Sequence, residues 1–311
     1  MKKIFNLLLI VVSLSSFAQS NPEVSKSAVK IQMLFPGGKS KALILSYDDG
    51  SNYDRQLVQL MNKYHLIGTF HLNSNKLGTN NYFNYLNKEE IKVLYNGHEV
   101  SVHTANHPNL PDINKIDVIY EVLEDRKELE RLVQYPVRGM AYPFGNTNDN
   151  VIDALKGLGI EYARTVGDTY NFQIPKDFLR WQPTIHQFAK AYWEPNQPEK
   201  DAQELAQFYK VINDFKQTKE LAILDIWGHS WEMGADKKKW DETEKFFTLL
   251  SNDKSIHYST QIDLVDYINA YRNLKFSVNK NYVYNLSSIN LFIKINDQII
   301  EIKAGTTTAT F

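Results

Sequence analysis

The feature that most constrains this chain is the alternation of two hydrophobic periods between residues 41 and 272. Short apolar runs rich in β-branched and aromatic residues alternate with amphipathic stretches of helical length. Strands and helices in regular order predict a parallel sheet, and about seven strands suit a closed barrel as well as an open sheet. The predicted strands cover residues 41–47, 68–73, 98–104, 139–144, 161–166 and 221–227, with a weaker one at 181–186.

The pattern changes after Arg272. Residues 273–311 show β-branched alternation between turn sequences such as Asn-Lys-Asn and Asn-Asp, without a helical period. We predict a small β appendage, which is too short to be stable unless it packs on the main domain. Binding and the capping of a sheet edge are both compatible with it.

The first 20 residues have the layout of a secretory signal peptide. Two lysines precede an apolar run from Ile4 to Val12, which is shorter than the ~20 residues that a membrane-spanning helix needs. We therefore predict a signal peptide at 1–20, a main domain at 21–272 and the appendage at 273–311. The mature chain would have no transmembrane segment and would be exported, to a periplasm or to the medium.

Composition excludes several classes of partner and scaffold. The formal net charge of -1 gives no general attraction to nucleic acid or to an anionic membrane. The chain has no cysteine, so it has neither a disulfide framework nor a cysteine that could carry a lipid anchor. Its stability must come from an ordinary apolar core.

A buried strand ends in two adjacent carboxylates in the stretch LILSYDDG, residues 43–50. Asp48 and Asp49 repel each other, which costs free energy unless a cation or a proton separates their roles. Gly50 then permits a sharp turn. The pair therefore predicts a partner elsewhere in the chain.

Two histidines follow another predicted strand, in the stretch HTANHP. His103 and His107 are four residues apart, so one helical turn would direct both imidazoles to one point. In a parallel barrel the carboxyl ends of the strands open on one face, where residues from different strands meet. Two histidines and one carboxylate form a metal site with space for water, and the second carboxylate can act as a base toward that water.

Four ordered motifs resemble those of the polysaccharide deacetylase family, carbohydrate esterase family four. They are YDDG at 47–50, HTANH at 103–107, AYPFG at 141–145 and IWGHS at 226–230. The resemblance spans roughly residues 40 to 270. It implies a distorted α/β barrel of about seven parallel strands, and it identifies the main domain as a deacetylase-like catalytic domain.

The resemblance also implies roles for individual residues. By position, Asp48 would be the catalytic base, while Asp49, His103 and His107 would hold a divalent metal. Zinc is the expected ion, although this ligand set also accepts Co²⁺, Ni²⁺ or Mn²⁺. His229 matches the late histidine that lines the acetyl pocket and protonates the leaving amine.

Further residues are expected to bind the substrate. The backbone N–H of Phe144 would help to bind the oxyanion, with Tyr142 and Pro143 beside it in the same motif. Trp231 is a candidate platform for a sugar ring, and Glu232 follows it directly. His186 falls near the end of the weaker predicted strand and could also contact the substrate.

One position departs from the family pattern. The third motif usually reads Arg, any residue, Pro, Tyr, and its arginine orients the base, but this chain has Ala141 at that position. Arg138 and Arg164 are the candidates to replace that arginine, and sequence does not choose between them. The family's aspartate and tryptophan motif is not clear, although Arg180 and Trp181 fall in the expected region.

These residues predict a metal-dependent hydrolase that removes acetyl groups from an N-acetylated polysaccharide or oligosaccharide of chitin or peptidoglycan type. The enzyme would act on carbon-nitrogen bonds other than peptide bonds, and its partner would be an acetylated carbohydrate. Two alternatives stay open. One is an esterase that removes O-acetyl groups from xylan or another glycan, and the other is a non-catalytic carbohydrate-binding protein on a degenerate deacetylase fold.

Overall fold

The computed structural model describes residues 30–188 and 197–310, so the predicted signal peptide lies outside the described residues. The strands in these ranges are β1 (Ile31–Leu34), β2 (Lys41–Asp49), β3 (Thr69–Leu72), β4 (Glu99–Val102), β5 (Gly139–Ala141), β6 (Tyr162–Arg164), β7 (Ile185–His186), β8 (Ala222–Gly228), β9 (Ile256–Tyr258), β10 (Lys275–Phe276), β11 (Tyr282–Tyr284), β12 (Leu291–Ile295), β13 (Gln298–Ile302) and β14 (Thr307–Ala309).

The helices connect these strands. They are α1 (Asp54–Lys63), α2 (Ile91–Leu94), α3 (Lys115–Val133), α4 (Asp149–Lys156), α5 (Pro198–Gln217), α6 (Lys237–Leu250) and α7 (Gln261–Arg272). Four of them begin after a polar residue whose side chain accepts a hydrogen bond from the first turn, namely Asn114, Asn148, Asp236 and Thr260. Among the described residues, no helix combines the length and the apolar character that crossing a membrane requires.

The main sheet is parallel and has the order β6-β5-β4-β3-β2-β8-β7, with β9 paired to the start of β2. Trp181 bridges to Arg164 on β6, and residues 185–186 pair with β8. One irregular segment therefore connects both edges of the curled sheet. This arrangement confirms the predicted α/β fold, a distorted (β/α) barrel followed by a small C-terminal set of strands.

Every residue of β2 is buried, because helices and the barrel interior cover both of its faces. A polar cluster lies inside the barrel at its amino-terminal end. The Glu99 carboxylate there accepts hydrogen bonds from Thr69 Oγ1 (2.9 Å), Tyr162 Oη (2.8 Å) and the backbone N–H of Ile262 (3.1 Å). These bonds attach the first turn of α7 to the strands of the barrel.

The C-terminal strands form two small antiparallel sheets, with the orders β1-β12-β13 and β10-β11-β14. The first sheet takes in β1, which the sequence did not predict as a strand. Leu291, Ile293 and Ile302 from this sheet are fully buried in a second apolar core, which also contains Leu264 and Ile268 of α7. The tail thus packs on the main domain, as its short length requires.

Candidate active site

Three candidate ligands meet where β2 and β4 end. Asp49 Oδ1 lies 3.6 Å from His103 Nε2 and 3.8 Å from His107 Nε2. One ligand atom from each residue falls within 4.8 Å of the others, so the three can hold a metal ion. Asp49 and His103 are buried, and His107 is partly exposed toward the cavity described below.

The two histidines are prepared for this role by their surroundings. Nδ1 of His103 donates a hydrogen bond to the backbone carbonyl of Ala141 (2.8 Å), which leaves Nε2 available as a ligand. Burial lowers the pKa of His107 to about 4. The neighbouring His103 also lowers this pKa, whereas Asp49 and Asp48 raise it. A neutral imidazole is the form that binds a metal.

Strained backbone accompanies these residues. Asp49, Thr104, His107 and Phe144 all have positive φ, at 81°, 67°, 62° and 58°. Non-glycine residues adopt this region at a free-energy cost of about 1–3 kcal/mol each, and such residues cluster at functional sites. The surrounding packing therefore holds these side chains where a regular strand or helix would not.

Arg164 contacts the carboxylate of Asp48. Its Nη2 donates to both carboxylate oxygens of Asp48, and the side chains of both residues are almost completely buried. Burial alone would raise the pKa of Asp48, but the guanidinium of Arg164, helped by His103, holds it well below its usual range. The Arg164 guanidinium also lies over the ring of Trp227, 4.7 Å from its centroid.

Arg138 does not reach this site. Its Nη1 donates to Asp266 (2.9 Å) and Glu161 (3.0 Å), and it is not among the residues that line the cavity. The reason is geometric: Arg138 precedes β5, whereas the site lies beyond the carboxyl ends of the strands. Of the two candidate arginines, only Arg164 contacts Asp48.

A second group of titratable residues faces the first. Glu232 lies between two histidines, with Oε1 at 3.2 Å from His229 Nδ1 and Oε2 at 3.1 Å from His186 Nε2. His229 Nε2 is 4.0 Å from Asp49 Oδ2. Burial would lower the pKa of His229, but the charges of Glu232, Asp49 and Asp48 outweigh burial and raise it to about 9.

The pKa of Glu232 is shifted in the opposite direction to that of His229. Burial would raise its pKa, but His186 and His229 lower it to about 2. The carboxylate is therefore ionised, and an ionised Glu232 stabilises a protonated His229. These ligand atoms also lie within 4.8 Å of one another, which makes this the second group of potential metal ligands found among the described residues.

Trp231 contacts both the metal site and the entrance of the cavity. Its Nε1 donates to Asp49 Oδ2 (2.7 Å), and its ring stacks on Phe83 with centroids 5.7 Å apart and an interplanar angle of 19°. Phe83 in turn contacts Tyr85 (4.4 Å). Together with the largely exposed Tyr82, these rings form an aromatic arm, residues 82–85.

A cavity of about 1060 Å³ lies among these groups, although Arg138, Arg164 and Glu232 do not line it. Of the sequence-predicted residues it is lined by Asp48, Asp49, His103, His107, Tyr142, Phe144, His186, His229 and Trp231. Pro143 is buried in the same turn as Phe144. The sequence analysis gave no role to the other lining residues, namely Tyr53, Lys76, Tyr82, Phe83, Tyr85, Asn106, Val166, Asp168, Trp227 and Gly234. Only the aromatic arm carried a readable signal, the run YFNY within an Asn-rich stretch.

The turn after β5 places Phe144 at this cavity. Gly145 has φ of +68°, and a Cβ there would lie 2.3 Å from a methyl carbon of Val166. Only glycine fits, because both the conformation and the close approach exclude a side chain. The Phe144 ring consequently contacts His107 at 4.7 Å and is 58% exposed toward the cavity.

Part of the chain matches a known protein family. Residues 36–163 match the family model described as polysaccharide deacetylase, and this segment holds both the YDDG and the HTANH motifs. This part of the chain is thus similar to polysaccharide deacetylases. The resemblance inferred from the motifs is therefore confirmed.

The individual relatives of this chain are distant. It is 30% identical over 156 residues to a poly-β-1,6-N-acetyl-D-glucosamine N-deacetylase of Staphylococcus epidermidis, a match that covers 44% of this chain and 54% of the relative. It is 28% identical over 123 residues to a peptidoglycan-N-acetylglucosamine deacetylase of Bacillus cereus, covering 39% of this chain and 54% of the relative. The chain thus spans little more than half the length of the curated relatives it matches.

A solved structure supports the fold. A crystal structure of a protein from Mycobacterium smegmatis, described as a candidate polysaccharide deacetylase, aligns with a TM-score of 0.60. The alignment covers 78% of this chain and 94% of that one at 13% identity. At this identity the likeness concerns the fold alone.

Proposed function

We propose that this protein is a metal-dependent hydrolase that removes acetyl groups from N-acetylated sugar units of a polysaccharide or oligosaccharide. The observation that carries the proposal is the convergence of Asp48, Asp49, His103 and His107 in one cavity, with Arg164 paired to Asp48. Two relatives are named as deacetylases of N-acetylglucosamine polymers. Both names favour an amide over an ester as the bond that is cleaved.

The three ligand residues fit a divalent ion of the zinc class. Two imidazole nitrogens and one carboxylate oxygen are the donor set of many catalytic zinc sites, which leave further positions open. The hydrogen bond from His103 to Ala141 and the low pKa of His107 both favour the ligand form of these rings. A divalent ion held there would act as a Lewis acid toward the acetyl carbonyl and make a water molecule acidic enough to react near neutral pH.

The remaining residues supply proton transfers and orientation. Arg164 keeps Asp48 ionised and holds it in place. Asp48 accepts a proton from the attacking water while the water oxygen bonds to the acetyl carbon. His229, kept protonated by Glu232, donates a proton to the sugar nitrogen as the carbon-nitrogen bond breaks. The products are acetate and a free amine. The backbone N–H of Phe144 is our candidate donor to the oxyanion.

Arg164 also bears on the non-catalytic alternative. That alternative rested on Ala141, which stands where the family has an arginine. Since Arg164 contacts Asp48 from another strand, the base has the cationic partner that Ala141 cannot provide. This contact favours a catalytic protein over a degenerate one.

The location and the domain division complete the proposal. A substrate of polysaccharide type lies outside the cytoplasm, which agrees with the signal peptide predicted at residues 1–20. We propose an exported protein whose catalytic part ends near Arg272, where α7 ends.

The test is acetate release by the purified chain lacking residues 1–20. N-acetylglucosamine oligomers and O-acetylated xylan are compared, before and after chelation and return of zinc. We expect zinc-restored release from the N-acetylated substrates. No release from either glycan by the zinc-loaded protein would contradict the proposal, and release from xylan alone would favour the esterase alternative.

Two variants separate metal binding from catalysis. Asp49→Ala should abolish zinc retention, because one of three ligands is lost, whereas Asp48→Asn should retain zinc and lose turnover by about 10²-fold or more. Zinc content by atomic emission and turnover are measured on the same preparations. Full activity of Asp48→Asn would show that another group is the base.

A further inference from the structure

The two oxygens of the Asp49 carboxylate have different neighbours. Oδ1 faces Nε2 of His103 and of His107, at 3.6 and 3.8 Å. Oδ2 points the other way and accepts the indole N–H of Trp231 at 2.7 Å. From this division we infer that Trp231 is a positioning residue, which holds the Asp49 carboxylate in the orientation that a divalent ion requires. The inference rests on the proposed metal-dependent function.

The backbone at Asp49 does not fix this orientation by itself. Asp49 and Gly50 both have positive φ, at 81° and 72°, so the carboxylate sits where the strand has already turned. Its terminal torsion is of the broad, roughly two-fold kind. His229 Nε2, at 4.0 Å from Oδ2, offers a competing partner. A hydrogen bond to the charged carboxylate, stronger than one between neutral groups, selects the orientation that faces the two metal-site histidines.

Trp231 is itself held firmly. It lies in the short helical turn Ser230–Glu232, directly after β8. Ser230 Oγ lies 3.1 Å from Ser51 Oγ, which ties this turn to the loop that follows Asp49. On the other side of Trp231, Glu232 is fixed between two histidines. A donor placed by two anchored neighbours is suited to orient a ligand.

The competing interpretation is that Trp231 acts only through its ring, which stacks on Phe83. The two roles use different parts of the side chain, so variants can separate them. Trp231→Phe keeps an aromatic ring and removes the N–H donor. Phe83→Leu removes the stacking partner and leaves the donor in place. Trp231→Gln replaces the ring by a shorter group that still carries an N–H donor.

The experiment measures the zinc dissociation constant by competition with a chromogenic chelator, using Zn²⁺ alone and no sugar. We expect Trp231→Phe to weaken zinc binding about 10–100-fold, the usual effect of removing a partner that orients a metal ligand. Phe83→Leu should bind zinc as the wild type does, and Trp231→Gln should bind more tightly than Trp231→Phe. Circular dichroism and the thermal midpoint of the metal-free proteins report folding independently.

The outcomes separate this inference from the proposed function. Wild-type affinity in Trp231→Phe would overturn the inference while leaving the metal site intact. Equal losses in Trp231→Phe and Phe83→Leu would show that ring packing is responsible, and this would also overturn it. If Trp231→Phe does not fold, a Trp231→Gln affinity matching the wild type supports the inference, and a loss above 100-fold contradicts it. A wild-type protein that binds no zinc would contradict the proposed function, and the inference with it.

Discussion

At the residue scale, the contact between Arg164 and Asp48 gives this buried carboxylate a cationic partner. Ala141 contributes its carbonyl, which orients His103, and Arg164 supplies the guanidinium from the next strand of the sheet. Register makes this possible because Ala141 and Arg164 are direct partners across β5 and β6. Arg164 therefore projects from the strand position beside Ala141.

Replacing Arg164 tests this assignment. Arg164→Met should reduce kcat about 10²-fold, because Asp48 loses the group that orients it and keeps it ionised. Zinc content should stay near wild type, since Arg164 contacts the base and none of the three candidate ligands. Steady-state kinetics on N-acetylglucosamine oligomers and metal analysis give both numbers.

Arg138→Met is the matched control. Arg138 pairs with Asp266 and Glu161 outside the cavity, so its loss should change kcat less than about two-fold. A large loss of activity in Arg138→Met together with normal turnover of Arg164→Met would reverse our assignment.

The sequence predicted which residues belong to this site, but it did not predict which other side chains they contact. Five of the predicted residues lie in local sequence motifs, and all five line one cavity: Asp48, Asp49, His103, His107 and His229. The sequence did not decide which of two arginines contacts Asp48, because the spacing of residues along the chain does not report contacts across the interior of a barrel. For the same reason, nothing in the sequence indicated the link from Trp231 to Asp49.

At the element scale, the aromatic arm is built from a loop rather than from a regular element. Backbone bonds hold it against the loop after β2, with Asn52 N–H donating to the carbonyl of Asn84 (2.7 Å) and Leu86 N–H to that of Gly50 (2.9 Å). These bonds anchor the C-terminal end of the arm, and Tyr82, which is 85% exposed, lines the cavity. An exposed ring at a cavity is suited to pack on the apolar face of a sugar.

The exposed ring allows a test of chain-length preference. Tyr82→Ala should raise KM several-fold for N-acetylglucosamine oligomers, because a ring packed on a neighbouring sugar unit buries apolar surface. If Tyr82 contacts an additional sugar unit, the kinetics of a single N-acetylated sugar should change less than those of the oligomers. Equal effects on the short and long substrates would show that Tyr82 does not contact an additional sugar unit.

Regular elements were predictable where their own pattern was strong. The strands that build the barrel from β2 to β6 and β8 coincide with predicted runs, because a strand buried on both faces appears as continuous apolar sequence. β1 and β9 were missed, since each is short and exists only through a distant partner, β12 for one and the start of β2 for the other. The position of the arm was likewise set by tertiary contacts.

At the scale of the whole molecule, buried carboxyl groups couple stability to pH. Burial raises the pKa of Glu99 to about 7, with Asp263 adding to the effect and the donors at Thr69, Tyr162 and Ile262 opposing it. A raised pKa means that the folded state binds a proton more tightly than the unfolded state. The stability from this proton is complete below the unfolded pKa near 4.5 and is lost as pH rises through about 7.

Glu99→Gln should remove this contribution. The free energy of unfolding of the wild type should fall between pH 4.5 and 7 more steeply than that of the variant, by at most about 1.36 kcal/mol per pH unit for one proton. Urea unfolding at several pH values in this window measures both slopes. Some slope should persist in the variant, because Asp54, Asp125 and Asp225 also have pKa values raised to about 7. Identical slopes would show that Glu99 does not titrate in this range.

The pairing of β1 with β12 has a consequence for the order in which the protein can be completed. Ile31 lies opposite Ile295, so one of the first strands to leave the ribosome finds its partner only when the chain is almost finished. Until then the C-terminal strands cannot bury Met33 and Phe35, so these apolar side chains lack part of the core that surrounds them in the folded protein. Because such long-range pairings form slowly, the three-stranded sheet that contains β1 should be among the last parts of the protein to fold.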